Sequence, residues 1–222
     1  MVEIFVGIVE DDDAQINSIK RTLYGHLKNN PELSNHFNLK FKSYDINKKL
    51  DLLIKDIIYD IETNKIDFII VDYKIVSINS NTSGVELFNE LKKIVREFPA
   101  VILTERETEC IQTMDVDPDK IYSKKGFFKA KEDYSKDAAN KIFNNIIRFS
   151  NKKDYLINKI SDLKKDNEIN GSLENIDEIL ALEKELSDYY PDGETNIEKT
   201  LDKNSLNEII ELIERANSLL KE

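Results

Sequence analysis

The chain has 222 residues, of which 40% are hydrophobic, so it is long enough for one α/β domain with an appended region. Its 43 acidic and 32 basic residues give a formal net charge of −11, which argues against a broad nucleic-acid-binding surface. The single cysteine, Cys110, cannot form an internal disulfide, and the N-terminus lacks the pattern of a signal peptide. No apolar run approaches the ~20 residues of a membrane helix, so the sequence predicts a cytoplasmic protein with no membrane association.

Five short, mostly apolar runs have the composition of β-strands. They span residues 3–9, 38–43, 66–72, 100–104 and 120–123. Residues 38–43 alternate between polar and apolar side chains, as an edge strand does. The other runs contain consecutive apolar residues, which is typical of strands that are buried on both faces of a parallel sheet.

The segments that follow these strands have apolar residues at helical spacing. The predicted helices lie within residues 16–27, 50–61, 85–94 and 131–150, with a short helix around Cys110, Ile111 and Met114. Asp12, with Gln15 three residues later, has the pattern of a helix N-cap. Five successive βα units with right-handed crossovers predict a doubly wound parallel sheet that occupies residues 1–150.

Residues 151–222 differ in character, because they contain no strand candidate and carry 18 acidic against 10 basic residues. Three apolar stripes predict three helices, the first of which can continue the helix at 131–150. The stripes are Leu156, Ile160 and Leu163; Leu173, Ile176 and Leu180; and Leu206, Ile209, Ile213 and Leu220. Breaks fall at Asn170-Gly171 and at Pro191-Asp192-Gly193. We expect packing within the chain, and a homodimer is the other arrangement that these stripes allow.

Acidic residues follow two of the predicted strands. Glu10 and Asp11 end the first strand and Asp72 ends the third, and the carboxyl ends of parallel strands meet at the edge where open α/β sheets bind ligands. Mg²⁺ prefers hard oxygen ligands and keeps several waters. The sequence therefore predicts a magnesium site with Asp11 and Asp72 as ligands, Glu10 acting through water, and the backbone carbonyl of Lys74 as a third protein oxygen.

Two further strand ends suit phosphoryl transfer. Asp72 is a candidate nucleophile, and the hydroxyl of Thr104 and the ammonium of Lys124 would bind the phosphoryl oxygens as they gain charge. A phosphatase of the haloacid-dehalogenase type needs a second aspartate two residues after the nucleophile, where this chain has Lys74. Glycine-rich nucleotide-binding loops are also absent from the sequence.

In this order of motifs, residues 1–150 resemble the receiver domain of bacterial two-component response regulators. The matching segments are Ile8-Val9-Glu10-Asp11-Asp12, Ile69-Ile70-Val71-Asp72-Tyr73, Gly84-Val85-Glu86-Leu87, Val101-Ile102-Leu103-Thr104 and Tyr122-Ser123-Lys124. The resemblance implies a (βα)₅ flavodoxin-like fold and Mg²⁺-dependent phosphorylation of Asp72 by a histidine kinase, a phosphotransfer protein or a small phosphodonor. It implies at most self-phosphorylation and slow autodephosphorylation as enzymatic activity.

By the same resemblance, Thr104 is the switch hydroxyl and Lys124 the phosphate-sensing lysine. The chain departs from the family after Asp72, where Val76 takes the place of a proline and the loop to Gly84 is long. The family has a small residue after the switch hydroxyl, where this chain has Glu105.

The family also has a proline after the lysine, where this chain has Lys125. Lys125 is therefore an alternative phosphate-sensing lysine, with Gly126-Phe127 in place of Pro-Phe. Lys124 is preferred because Ile121 and Tyr122 then occupy buried strand positions. The switch aromatic is accordingly either Tyr122 or missing.

The acidic helical region offers no basic recognition helix and no phosphorylatable histidine, which disfavours DNA binding and phosphotransfer as its output. We expect residues 151–222 to bind a protein partner or the switch face of the chain's own receiver domain. The alternative is a pseudo-receiver, in which the same fold is a protein-binding scaffold without phosphorylation.

Overall fold

The computed structural model describes residues 1–75, 83–113, 115–170 and 173–191. The expected positions of Val76, of Met114 and of the third C-terminal helix lie outside these residues. None of the helices described there is both long enough and apolar enough to cross a membrane.

The five predicted strands form one parallel sheet in the order β2-β1-β3-β4-β5. Their bounds are β1 Val2–Val9, β2 Phe37–Ser43, β3 Phe68–Val71, β4 Ala100–Thr104 and β5 Ile121–Ser123. This order is that of the flavodoxin-like doubly wound fold, which confirms the predicted fold class. β2 is an edge strand, as its alternating sequence predicts, and β5 forms the other edge.

Eight helices connect and extend these strands in the described part of the chain. They are α1 Asp13–Asn29, α2 Pro31–Ser34, α3 Leu50–Glu62, α4 Gly84–Ile94, α5 Glu107–Gln112, α6 Lys124–Phe127, α7 Asp133–Asn170 and α8 Leu173–Ser187. The predicted cap of α1 is confirmed, because the Asp12 carboxylate accepts hydrogen bonds from the amides of Ala14 and Gln15.

Each face of the sheet carries its own hydrophobic core. Helices α1 and α7 cover one face, where Leu23, Phe68 and Phe143 are among the fully buried side chains. Helices α3, α4 and α5 cover the other, where Ile57 and Leu87 are fully buried. Helices on both faces leave the strand ends accessible only at the two edges of the layer, and the predicted site residues follow the carboxyl ends of the strands.

Helix α7 runs without interruption through residue 150, so the first appended helix does continue the last helix of the sheet domain. Its later part packs against α8 through a third apolar cluster that includes Leu156, Ile160, Ile179 and Tyr189.

The end of α8 contacts the loop between α4 and β4, at the amino edge of the sheet. The Glu97 amide donates to the Asp188 carbonyl at 2.9 Å, and Arg96 lies 3.5 Å from the Asp188 carboxylate. Both contacts therefore lie at the edge of the sheet opposite the acidic residues. They involve the α4–β4 loop and not α5 or β5.

The short helices α2 and α6 are absent from the sequence-based prediction. Asn30 caps α2 and Pro31 takes its first position, while the Ser123 side chain caps α6. Gly84, which ends the predicted polar loop and begins the Gly84-Val85-Glu86-Leu87 motif, is the first residue of α4. Single helical turns lack the repeated apolar spacing that reveals longer helices, so only their caps signal them.

Candidate functional site

The first and third strands bring Glu10, Asp11 and Asp72 together at the carboxyl edge of the sheet. β1 pairs directly with β3, and the Asp72 amide donates to the Val9 carbonyl at 2.9 Å, which extends this pairing to the last strand position. One carboxylate oxygen of each acidic residue lies within 4.8 Å of the other two. The pairing of β1 with β3 thus brings Glu10 and Asp11 next to Asp72, although they are far apart in the sequence. These three residues form the acidic cluster.

The acidic cluster has the donor set of a divalent cation site. All of its ligand atoms are hard oxygens, Glu10 and Asp72 are buried, and Asp11 is exposed and so leaves a side open for water. Glu10 Oε2 is buried and accepts no well-directed hydrogen bond within the described chain, its contact with Lys124 being an ion pair. The residues therefore fit a magnesium ion that keeps part of its hydration shell.

Lys124 places its ammonium between the two buried carboxylates of the cluster. Nζ lies 2.6 Å from Glu10 Oε2 and 2.8 Å from Asp72 Oδ1, and the side chain is only 3% exposed. Lys125, the alternative lysine, is exposed. The lysine in the pocket is thus Lys124, because it begins α6 directly after the buried strand β5.

Burial and ion pairing shift the pKa values of Glu10, Asp72 and Lys124 in opposite directions. Burial raises the pKa of Glu10 to about 7, although the nearby Lys124 ammonium opposes this rise. The pKa of Asp72 is raised for the same reason and with the same opposition. Burial lowers the pKa of Lys124, but the carboxylates of Asp72 and Glu10 outweigh it and hold that pKa above its ordinary value. A cationic Lys124 is therefore the stable partner of this acidic cluster.

Thr104 ends β4 and is fully enclosed. Thr104 pairs with Ser123 of the neighbouring strand β5. Its buried hydroxyl oxygen accepts a hydrogen bond from the Arg106 amide at 3.0 Å. Among the described residues, none accepts a hydrogen bond from this hydroxyl, whose hydrogen can therefore still be donated. Glu105, the departure noted in the sequence, is exposed directly beside this position.

Tyr122 points into the core and not toward solvent. It is buried among the apolar residues of the face covered by α1 and α7, close to Leu103 and Phe127. Ile121 lies in the core of the opposite face, as strand alternation requires. Tyr122 is therefore the aromatic residue of β5, enclosed in the core.

Lys74 contributes its backbone to the site and directs its side chain elsewhere. Its amide donates to Asp72 Oδ2 at 3.2 Å, so both oxygens of the Asp72 carboxylate have partners. Its ammonium lies 3.2 Å from the Glu109 carboxylate of α5, in an exposed ion pair. The metal contact proposed for the Lys74 carbonyl stays a prediction.

Gly84 holds the start of α4 against the strand end that carries Asp72. A Cβ atom at this position would lie 1.7 Å from the Asp72 carbonyl oxygen, and the Gly84 amide donates to the Tyr73 carbonyl at 2.9 Å. Only glycine permits this approach of the helix backbone to the strand end. The close approach of the helix to Asp72 thus explains why the motif begins with glycine at position 84.

One contact next to the acidic cluster could not be expected from the sequence. Tyr134, in the first turn of α7, accepts a hydrogen bond from the Ser123 amide at 2.8 Å. An exposed aromatic residue in a helical first turn gives no sequence signal for such a contact, although Gly126, which allows the tyrosine ring to approach, is a weak one.

Neither the known family models nor the curated proteins compared with this chain match it. Among solved structures, the chain is similar to the crystal structure of a CheY-like response regulator receiver domain protein from Methanospirillum hungatei JF-1. The sequence identity is 15%, the match covers 66% of this chain and 96% of that chain, and the TM-score is 0.40. The strand order and the acidic cluster of this chain, on their own, fit a receiver domain.

Proposed function

We propose that this chain is a response-regulator-like signalling protein in which Asp72 accepts a phosphoryl group in a Mg²⁺-dependent reaction. The observation that carries the proposal is the contact of one buried ammonium, that of Lys124, with both Asp72 and Glu10 beside the exposed carboxylate of Asp11. A structural ion pair would need only one carboxylate. Three carboxylates and one lysine at the carboxyl edge of a parallel sheet suit the binding of a cation and a phosphoryl group together.

In the proposed reaction, a carboxylate oxygen of Asp72 forms a bond to the phosphorus of the donor. The bond from phosphorus to the donor's oxygen or nitrogen breaks, and the leaving group keeps the electron pair. Lys124 and the hydroxyl of Thr104 then donate hydrogen bonds to the phosphoryl oxygens. Glu10, Asp11 and Asp72 would hold the Mg²⁺ ion, whose positive charge offsets repulsion between Asp72 and the anionic donor.

The phosphodonor that we propose is a histidine kinase or a phosphotransfer protein, and small acyl phosphates are its laboratory substitutes. The helical region from residue 151 is proposed to engage a protein partner and not nucleic acid. Since α8 contacts the α4–β4 loop through Glu97 and Arg96, a change at Asp72 would reach it through α4, whose first residue touches the Asp72 carbonyl. A beryllofluoride mimic of phosphorylation should then change amide hydrogen exchange in residues 173–191, and unchanged exchange there contradicts this coupling.

The proposed reaction is tested by incubating the full chain with acetyl phosphate and Mg²⁺ and measuring its intact mass. The wild type should gain one phosphoryl group, and the Asp72→Asn variant should gain none. Asp67→Asn is a matched control, because Asp67 lies just before the same strand, where it accepts a hydrogen bond from the Phe5 amide at 2.8 Å. This control variant should be modified like the wild type.

A pseudo-receiver scaffold is the second candidate, and two observations favour it. The Lys124 ammonium contacts both buried carboxylates and so offsets part of their charge, and the exposed Glu105 places a negative charge next to Thr104, where an anionic donor would have to approach. In this case neither a mass adduct nor Mg²⁺ binding by calorimetric titration should occur. If Mg²⁺ binds, the Asp11→Ala variant should bind it more weakly, whereas equal binding would place the metal elsewhere.

A further inference from the structure

The side chain of Tyr134 supplies a hydrogen-bond acceptor to the outer edge of β5. In the part of the chain that the structure describes, this strand is the last of the sheet, so no strand lies beside it to accept hydrogen bonds from amides on its outer side. The Tyr134 hydroxyl accepts the hydrogen bond from the Ser123 amide at 2.8 Å in place of a strand carbonyl. Ser123 directly precedes Lys124, so this contact fixes the backbone at the residue before the pocket lysine.

The ring of the same tyrosine fixes the backbone on the other side of the lysine. A Cβ atom at Gly126 would lie 2.6 Å from Cδ1 and 2.8 Å from Cε1 of Tyr134, so a side chain at this position would require the ring to move. The ring therefore lies against the glycine backbone. Lys124 and Lys125 are the two residues between these contacts, and both contacts come from one side chain.

The helix that carries Tyr134 is itself held in place. Ser135 is fully buried, and its hydroxyl donates to the Phe127 carbonyl at the end of α6 at 2.5 Å. The His26 ring of α1 lies 2.8 Å from the same hydroxyl through Nε2. Because Ser135 ties the start of α7 to α6 and α1, the position of the Tyr134 hydroxyl is set by the fold.

Lys124 needs such support more than a lysine followed by proline does. Proline fixes the φ angle of its own residue and restricts the residue before it, whereas Lys125 does neither. The ammonium of Lys124 is nevertheless held 2.6 Å from Glu10 and 2.8 Å from Asp72 at the end of a flexible four-carbon side chain. A backbone displacement at Ser123 or Gly126 would move the base of this side chain and so change the distances from its ammonium to the two carboxylates.

We propose that Tyr134 is a positioning residue for Lys124, acting through its hydrogen bond to Ser123 and its packing on Gly126. This role rests on the proposed phosphorylation of Asp72. Among the described hydrogen bonds and ion pairs, none joins Tyr134 to Glu10, Asp72 or the Lys124 ammonium, so its proposed effect on the reaction runs through the backbone that carries Lys124.

The test compares Tyr134→Phe with Tyr24→Phe in the full chain. Tyr24 is a matched control, since its hydroxyl also bonds a backbone group, donating to the Leu39 carbonyl at 2.7 Å, and it is 45% exposed against 39% for Tyr134. Loss of a hydrogen bond worth about 1 kcal/mol should slow phosphorylation by acetyl phosphate about fivefold in Tyr134→Phe. Tyr134→Leu, which also loses the ring contact, should be slower still, and Tyr24→Phe should keep the wild-type rate.

If Tyr134 only stabilised the fold, its loss would lower the free energy of unfolding and leave the reaction of the folded protein unchanged. The NMR resonance of the Lys124 ammonium separates this role from positioning, because it reports directly on the environment of that ammonium. In the wild type this resonance should persist because the buried ion pairs slow proton exchange, and in Tyr134→Phe it should broaden or disappear while Mg²⁺ affinity does not fall. An unchanged resonance, or an equal loss of rate in both phenylalanine variants, overturns the role of Tyr134. Absence of any phosphorylation in the wild type counts instead against the proposed function, and the resonance then still decides whether Tyr134 positions Lys124.

Discussion

Replacement of Gly84 by alanine should destabilise the fold and the site together, although alanine normally favours a helix. Glycine to alanine inside a helix stabilises by about 0.5–1 kcal/mol. Here the new Cβ would lie 1.7 Å from the Asp72 carbonyl oxygen, so the start of α4 or the end of β3 must move by more than 1 Å. Overpacking of this kind costs about 1–3 kcal/mol, and because the obstructing atom belongs to the backbone we expect a net loss of about 2 kcal/mol.

Gly25 provides the matched control, since it is a helical glycine of α1 with no atom within 4 Å of an added Cβ. For a chain of this length, 1 kcal/mol corresponds to about 2–4 °C in the unfolding temperature. Thermal unfolding followed by circular dichroism should therefore show a fall of about 4–8 °C for Gly84→Ala and a rise of about 1–4 °C for Gly25→Ala. If Gly84→Ala is as stable as Gly25→Ala, the close approach of α4 to Asp72 is refuted.

Three other substitutions test the electrostatics and packing of the fold, at the site and away from it. Lys124→Met should cost about 3–5 kcal/mol, because it leaves two buried carboxylates without their cation, whereas Lys125→Met should have little effect in the same urea titration. Burial and the neighbouring Lys120 lower the pKa of Lys92 to about 8, against the opposing effect of Glu97. The unfolded chain therefore binds more protons between about pH 8 and 10.5, and stability should rise with pH across that window. Lys92→Met should flatten this rise while the exposed Lys93→Met keeps it, and an unchanged slope in Lys92→Met would show that Lys92 is not its source. Ser135→Ala removes a buried hydroxyl with two partners and should lower the free energy of unfolding by about 1–3 kcal/mol, so a change below ~0.5 kcal/mol contradicts the buried contact.

The sequence was sufficient to predict the sheet and the location of the site, because both follow from local patterns. Apolar runs identify the strands, and parallel topology brings their carboxyl ends to one edge, where Glu10, Asp11, Asp72 and Thr104 lie. The contact of one ammonium with two carboxylates could not be derived, since it depends on where the backbone turns after β5.

Contacts between separate helices, loops and strands were also beyond prediction. The contact of the end of α8 with the α4–β4 loop includes a backbone hydrogen bond between Glu97 and Asp188, and backbone groups give no signal in a sequence. The contact of Tyr134 with Ser123 joins a helix to an edge strand. The spacing of apolar residues in the sequence predicts which residues are buried. Which of these residues contact each other is known only from the fold.

The most direct test of the account is to localise the phosphoryl group by tandem mass spectrometry after reaction with acetyl phosphate, with and without chelation of Mg²⁺. The account predicts a single modified residue, Asp72, labelled only when Mg²⁺ is present. A phosphoryl group on another residue, labelling that persists after chelation, or no labelling of the folded wild type would contradict the claim that Asp72 is a Mg²⁺-dependent phosphoacceptor.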